Sequence, residues 1–233
     1  MSPILEVIVT SIEDARAAEA GGATRLEIIS HYEVGGLTPD RELVRAIVDA
    51  VKVPARVMLR EEETFFLSET PHAEKKIERL CDLARSFTEL PIDGLVFGFL
   101  RGGSIDHTTL ARLLASAPRV RATFHRAFEE LPDPLPAIME LKRHSQIDCI
   151  LTSGGPEPWA AKLGRFEQWE RAARPEIGML VGGGTDAEAV DLFSRHTGIR
   201  AFHLGSAVRE GHRLDGRVRA DLVRRFSDQI APE

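Results

Sequence analysis

Short apolar runs alternate with capped, amphipathic stretches along the whole chain. Ile4 to Val9 reads as a strand, and Ser11-Ile12-Glu13-Asp14 after it is a capping-box-like start for an alanine-rich helix that closes at Gly21-Gly22. The second strand, Arg25 to Ser30, leads through Gly35-Gly36 to Thr38-Pro39, the N-cap and first residue of a helix ending near Val51. Strand three is Ala55 to Arg60. An acidic loop, Glu61-Glu62-Glu63, then runs to Thr70-Pro71, which opens a long helix with Ile77, Leu80, Cys81, Ala84 and Phe87 on one face. Strand four, Asp93 to Leu100, precedes a helix capped by Asp106, and strand five, Val120 to Phe124, runs into a proline-punctuated helix from Leu135 to His144. Strands six to eight, Asp148 to Thr152, Ile177 to Val181 and Arg200 to Leu204, end in Ser153-Gly154-Gly155, Gly182-Gly183-Gly184 and Gly205-Ser206. One helix with Trp159, Leu163, Phe166 and Trp169, one opening at Thr185-Asp186-Ala187-Glu188, and one from about Gly216 to Ser227 complete the series.

Eight strands alternating with eight helices, at roughly the 30-residue spacing of a βαβ unit, predict an α/β fold: a (β/α)8 TIM barrel forming a single domain over residues 1–233. An open doubly wound sheet would carry its glycine fingerprint after the first strand, whereas here the glycines follow strands six to eight. The length of 233 residues suits one barrel.

Composition changes the picture mainly by exclusion. A net charge of −6 argues against nucleic acid or an anionic membrane surface as partner, and no apolar run approaches membrane-spanning length. The start, Met1-Ser2-Pro3-Ile4-Leu5-Glu6, puts a carboxylate inside the first apolar run, unlike a signal peptide. Cys81 and Cys149 lie far apart in no metal-ligand spacing, which predicts neither a disulfide scaffold nor structural zinc; Cys81 falls on a core face and Cys149 at the end of strand six opposite the ligand. A cytoplasmic protein is expected. Arg209, Arg213, Arg217, Arg219, Arg224 and Arg225 read as a solvated helix face or an oligomer contact.

In a barrel the loops after the strands meet at one end, so strand C-termini form one site whatever their separation in sequence. Collecting them gives Glu6, Glu27, Arg60, His125, Arg126, Thr152, Ser153 and His203. Glu27, His125, His203 and Glu6 are the expected acid–base groups, Arg60 and Arg126 the anion clamps, and Thr152 and Ser153 part of the wall. Gly183 and Gly184 with Ser206 are placed to form a phosphate-binding loop. Strand alternation puts Thr123 and His125 on the axis and sends Arg126 over the rim or against the next helix. None of the lysines, Lys52, Lys75, Lys76, Lys142 and Lys162, ends a strand, which argues against a Schiff-base aldolase, and neither GxSxG nor HExxH occurs. What remains is Glu/His proton transfer on a small anionic, possibly phosphorylated molecule, or a divalent metal held by Glu27, His125 and His203. A buried ion-pair network that only holds the barrel together is the competing reading.

Several segments carry a family likeness: Leu5-Glu6-Val7, Gly22-Ala23-Thr24-Arg25-Leu26-Glu27, Glu33-Val34-Gly35-Gly36-Leu37-Thr38-Pro39, Thr123-Phe124-His125-Arg126-Ala127-Phe128 and Leu151-Thr152-Ser153-Gly154. The chain resembles the copper homeostasis protein CutC family of cytoplasmic TIM barrels from Leu5 to about Ser206. That resemblance implies copper handling, with Cu(I) on cysteines near the ends of the first two strands, and a homo-oligomer. The matching positions here are Ile8 and Ile29, and isoleucine cannot ligate a metal, so thiolate-bound copper is not expected. The segment after strand three, Leu59-Arg60-Glu61-Glu62-Glu63, departs from the family's proline- and glycine-rich one. The Glu, Arg and His set is kept. Two functions follow as expectations: non-enzymatic metal handling, or a barrel enzyme, lyase, isomerase or hydrolase, acting on a small anion.

Overall fold

The computed structural model describes residues 3–231, so Met1 and Ser2, on which the reading of the N-terminus partly rests, lie outside the described residues. Eight parallel strands close into a ring in sequential order: β1 (Ile4–Val9), β2 (Arg25–Ile28), β3 (Ala55–Met58), β4 (Gly94–Phe97), β5 (Arg121–Phe124), β6 (Ile147–Thr152), β7 (Gly178–Val181) and β8 (Ala201–Leu204). Their helices are α1 (Ile12–Gly21), α2 (Arg41–Ala50), α3 (Ala73–Phe87), α4 (His107–Ser116), α5 (Pro134–Leu141), α6 (Trp159–Ala173), α7 (Ala187–His196) and α8 (Ala220–Ile230). This is the (β/α)8 barrel that the alternation predicts.

The strands read as unbroken apolar runs because both of their faces are buried. Outward residues such as Leu5, Val7, Leu26, Ile28, Phe97, Phe124 and Phe202 form one continuous core with the helices. The barrel interior is different. It holds two small apolar clusters, Ile8, Ile29, Met58 and Val96 with Tyr32 beside them, and Cys149, Leu151 and Leu180. Charged side chains occupy the rest of the axis, among them Glu6, Arg25, Glu27 and Arg56, all buried.

Local departures from the sequence reading bear on the site. Ser11 and Asp106 cap α1 and α4 as expected, each accepting a backbone N–H at 3.1 Å. Helix α2 is instead capped by Asp40, which leaves Thr38 free to clamp Arg60: Thr38 Oγ1 accepts from Arg60 N at 2.8 Å and donates to Arg60 O at 3.0 Å. Thr70 closes a short 3-10 turn, and α3 starts only at Ala73. Strand β4 stops at Phe97, after which Leu100–Arg101 and Ser104–Ile105 pair as a separate hairpin. The register between β5 and β6 slips after Ala122, leaving Asp148 without a Cα partner on β5 and its carboxylate turned to Arg56. Arg209 is not solvated: it is buried, bound to Asp14 at 3.0 Å and to the carbonyls of Ile8 and Gly216, and it ties the loop before α8 to the first unit. The other five arginines of that cluster are exposed.

Candidate functional site

The charged residues on the axis sort into two depths. In the lower layer Arg56 donates to both oxygens of Asp148 at 2.7 and 2.8 Å, to Asp93 at 2.8 Å and to Thr123 Oγ1 at 2.7 Å, so one guanidinium on β3 joins residues of β5, β6 and the approach to β4. Arg25 binds Glu6 Oε2 through Nε and reaches Cys149 Sγ at 3.6 Å. Every guanidinium in this layer has its carboxylate. Here the competing reading, an ion-pair network that holds the barrel, describes what is found.

Glu6 belongs to this layer and not to the mouth. It is the third residue of β1, fully buried, and paired in register with His203 and Arg25. A strand's carboxylate reaches the mouth only from its last positions, and Glu6 lies a layer below them. Burial opposes its ionisation, but Arg25 and the His203 hydrogen bond outweigh that and hold it at about 2. An ionised carboxylate can only accept, so His203 Nδ1 carries a proton and donates to Glu6 Oε1 at 2.8 Å. His203 Nε2 then faces Glu27 Oε2 at 3.7 Å. Against the effect of burial, Glu27 and Glu6 raise the His203 pKa. Burial, reinforced by Glu6, pushes Glu27 up to about 7 despite His203 and Arg25.

Above this layer opens a cavity of about 510 Å³, within the range of small-molecule sites. Glu27, His203, His125, Arg60, Arg126, Gly183, Gly184 and Ser206 all line it, together with Tyr32, Met58 and Phe65. His125 is positioned by its own turn: Nδ1 accepts the Ala127 N–H at 3.1 Å, so the ring proton sits on Nε2, which is buried with no hydrogen-bond partner. Gly98 makes room for it, since a Cβ there would stand 2.9 Å from Nδ1. Burial and the Arg60 charge push His125 down to about 3, so the ring is neutral at ordinary pH. Glu27 Oε1 is the second buried polar atom of this cavity without a partner.

Arg60 is held by backbone carbonyls, Glu62 O at 2.8 Å and Gly36 O at 3.4 Å among them, and lies 4.8 Å from the Phe65 ring centroid. Among the described residues no carboxylate lies within ion-pair distance of it; burial lowers its pKa and the charge of nearby Glu63 opposes that without pairing with it, so the guanidinium lines the cavity with no carboxylate bound to it. Arg126 differs. It leaves the axis over the rim, where both oxygens of Glu129 hold it at 3.0 and 2.9 Å. Glu129 also accepts from Ser153 N at 2.6 Å and Thr152 Oγ1 at 3.3 Å. Thr152 is therefore a fully buried brace and not a cavity wall, and Ser153 lines a neighbouring outer recess with Lys162, Gly183 and Gly184. The backbone at Gly183 and Gly184 has φ of +76° and +95°, the left-handed region that glycine adopts without strain.

The expected metal set, Glu27, His125 and His203, shares the cavity, but its ligand atoms do not converge on one point. The group whose ligand atoms lie within 4.8 Å of one another, among the described residues, is Glu6, Glu27 and His203. Glu6 is already committed to Arg25 and His203 Nδ1, so only His203 Nε2 and Glu27 face a common point. The Ile8 and Ile29 positions are packed with Met58 and Val96, and the two thiols, Cys81 in α3 and Cys149 at the base of β6, are buried and apart. The donors for thiolate copper are not assembled.

The sequence reading missed Arg25, Arg56, Tyr32 and Glu129. Arg25 and Arg56 were legible in principle, since each sits two residues before an interior side chain of its own strand, Glu27 and Met58. Tyr32 and Glu129 lie in loops whose paths no periodicity predicts.

A family model described as the CutC family matches residues 3–208. The chain belongs to the CutC family. It is 34% identical over 206 residues to the family protein CutC of Mesorhizobium japonicum, covering 88% of this chain and 78% of that one. It is 31% identical over 201 residues to the human copper homeostasis protein cutC homolog, covering 86% and 72%. A crystal structure of the copper homeostasis protein CutC of Streptococcus agalactiae superposes with a TM-score of 0.78 at 23% identity, over 86% of this chain and 97% of that one, which supports the fold.

Proposed function

We propose that this CutC-family barrel binds a small anionic molecule in its mouth and moves protons on it through Glu27, with His203 behind it and His125 opposite. The observation that carries this reading is Arg60, a guanidinium lining the cavity with backbone carbonyls, but no carboxylate, as its partners. Such a charge favours an incoming carboxylate or phosphate over water because its donors are already fixed in place. Gly183, Gly184 and Ser206 supply backbone on the opposite wall for a phosphate, if the molecule carries one. The names of the relatives point to copper as cargo. The residue-level support for that second reading is the pair His203 Nε2 and Glu27, in which Glu6 orients the imidazole as a carboxylate orients a metal-bound histidine. Two hard or borderline ligands suit a divalent ion better than Cu(I).

Both readings are tested by thermal shift of the purified protein with phosphate, pyruvate, citrate, Cu(I) and Zn(II) as probes. A ligand at 100 times its Kd adds about 2.7 kcal/mol, a rise of about 5–10 °C in Tm for a chain of this size. At least one anion is expected to give such a shift in the wild type and none in Arg60→Met, with Cu(I) giving none. Stabilisation by Cu(I) but by no anion reverses the proposal in favour of metal handling.

No helix among the described residues is long and apolar enough to cross a membrane. A cytoplasmic, self-associating protein with no nucleic-acid partner is part of the same proposal. The negative net charge and the family resemblance support it, and sedimentation of the purified chain measures the assembly.

A further inference from the structure

Two residues that line the mouth, His125 and Glu27, each hold a buried polar atom without a partner, and the two atoms have opposite character. His125 Nε2 is a neutral N–H donor, and Glu27 Oε1 is a carboxylate oxygen. They sit on β2 and just after β5, three strands apart around the ring, with Arg60 from the end of β3 between them. Arg60 and His125 are close neighbours, both packed on Phe65, with its ring centroid 4.8 Å from Arg60 Cζ and 5.0 Å from the imidazole centroid. One ligand that gives each of the three groups a contact carries a carboxylate next to a carbonyl oxygen, and beyond the carbonyl a carbon that can give up a proton. A small 2-oxo acid has that order of groups.

Resting on the anion-binding reading above, we infer that the mouth takes a small 2-oxo acid and enolises it, with Arg60 on the carboxylate, His125 Nε2–H on the carbonyl oxygen and Glu27 Oε1 as the base for C3. The step balances without a co-reactant. Glu27 takes the proton from C3, the C–H pair becomes the C2=C3 bond, and the carbonyl π pair moves onto oxygen, where the His125 N–H and the Arg60 charge stabilise it. Reversal returns a proton from the Glu27 carboxyl to C3. A neutral imidazole suits this task better than an imidazolium, because it donates to the developing oxyanion without protonating it in the ground state. His203 lies 3.7 Å from Glu27 Oε2, which leaves Oε1 as the carboxylate oxygen without a partner. The cavity of about 510 Å³ exceeds the needs of the smallest 2-oxo acids, so the rim beyond C3, formed by Gly184, Ser206 and Leu214, sets which longer substituent is accepted.

The test is hydrogen exchange at C3 of pyruvate and of 2-oxobutyrate in D2O, followed by proton NMR with the intact chain. Exchange faster than in buffer is expected for the wild type, reduced about 100-fold or more in Glu27→Gln, as for loss of a general base. His125→Phe is expected to lose a comparable factor through the missing oxyanion donor. Saturation-transfer NMR on the same samples reports whether the acid is bound. Pyruvate or 2-oxobutyrate bound by the wild type with no exchange above buffer overturns the enolisation and leaves the anion site standing. No binding of either acid, while phosphate or citrate raises Tm, overturns the 2-oxo acid assignment alone, and the absence of any stabilising anion overturns both readings. Exchange that persists in Glu27→Gln, shown folded by its circular dichroism, removes Glu27 as the base.

Discussion

At the scale of single residues the site is defined by which polar atoms have partners and which do not. Burying a polar group without a hydrogen bond costs roughly 1–3 kcal/mol, so an unpartnered atom at a cavity wall is a standing demand for a ligand. Arg25 and Arg56 have carboxylate partners and Arg60 has backbone carbonyls in their place, while His125 Nε2 and Glu27 Oε1 have no hydrogen-bond partner. Tyr32, the single tyrosine of the chain, closes one side of the mouth. Its hydroxyl lies so close to Gly205 that a Cβ there would stand 1.7 Å away. Burial pushes the phenol above its ordinary pKa of 10. Gly205→Ala is therefore expected to expel the ring and return the tyrosinate titration to about 10, read from ultraviolet absorbance. A midpoint that stays at the wild-type value contradicts this placement of Tyr32.

At the scale of elements, the strands carry two kinds of information on alternate positions. Outward residues are apolar and generic, and the runs they make are what the sequence pattern reveals. Inward residues are few and each is specific, and Arg56 is the clearest case, joining β3 to β5, β6 and the residue before β4. Asp148→Ala removes two of its bonds and leaves a buried guanidinium partly unpaired. The expected cost is about 3 kcal/mol in urea unfolding, toward the lower end for a broken buried pair because Asp93 remains. A loss below about 1 kcal/mol shows that this clamp is not structural. The displaced caps belong to this scale too. Thr38-Pro39 has the residues of an N-cap and first turn, but tertiary pairing takes the Thr38 hydroxyl to Arg60 and the next polar residue, Asp40, caps the helix.

For the whole molecule, the buried titrating groups pull stability in opposite directions with pH. His125 has a folded pKa near 3 against 6.5 unfolded, so between these values the unfolded chain binds more protons and stability falls as the medium is acidified. Glu27, raised to about 7, and His203, raised as well, bind protons more readily in the folded chain, so their contributions are largest in acid and are lost as pH rises through their folded pKa values. Comparison with His125→Phe isolates the first effect, since Glu27 and His203 are present in both proteins. Between pH 6.5 and 5 the wild type is expected to lose about 2 kcal/mol more than the variant in urea unfolding. Equal losses mean that His125 is not held neutral.

The barrel was legible in the sequence because its signal is local and repeated. Apolar runs recur eight times, each followed by a helical stretch, with caps opening several of the helices and glycines ending the last three strands, and that alternation is the pattern of a parallel barrel. That rule also gathered Glu27, Arg60, His125 and His203 into one mouth from positions up to 176 apart, 203 minus 27. It overreached at Glu6, where the position along the strand, and not the strand's order in the ring, decides depth. Only the tertiary structure decided which charges cancel. Pairing depends on distances of about 3 Å between side chains on different strands, and no pattern along one strand encodes its neighbour's register. Register set Glu6 beside His203 and Arg25, the β5–β6 slip turned Asp148 to Arg56, and Arg60 was left as the guanidinium of the mouth without a carboxylate.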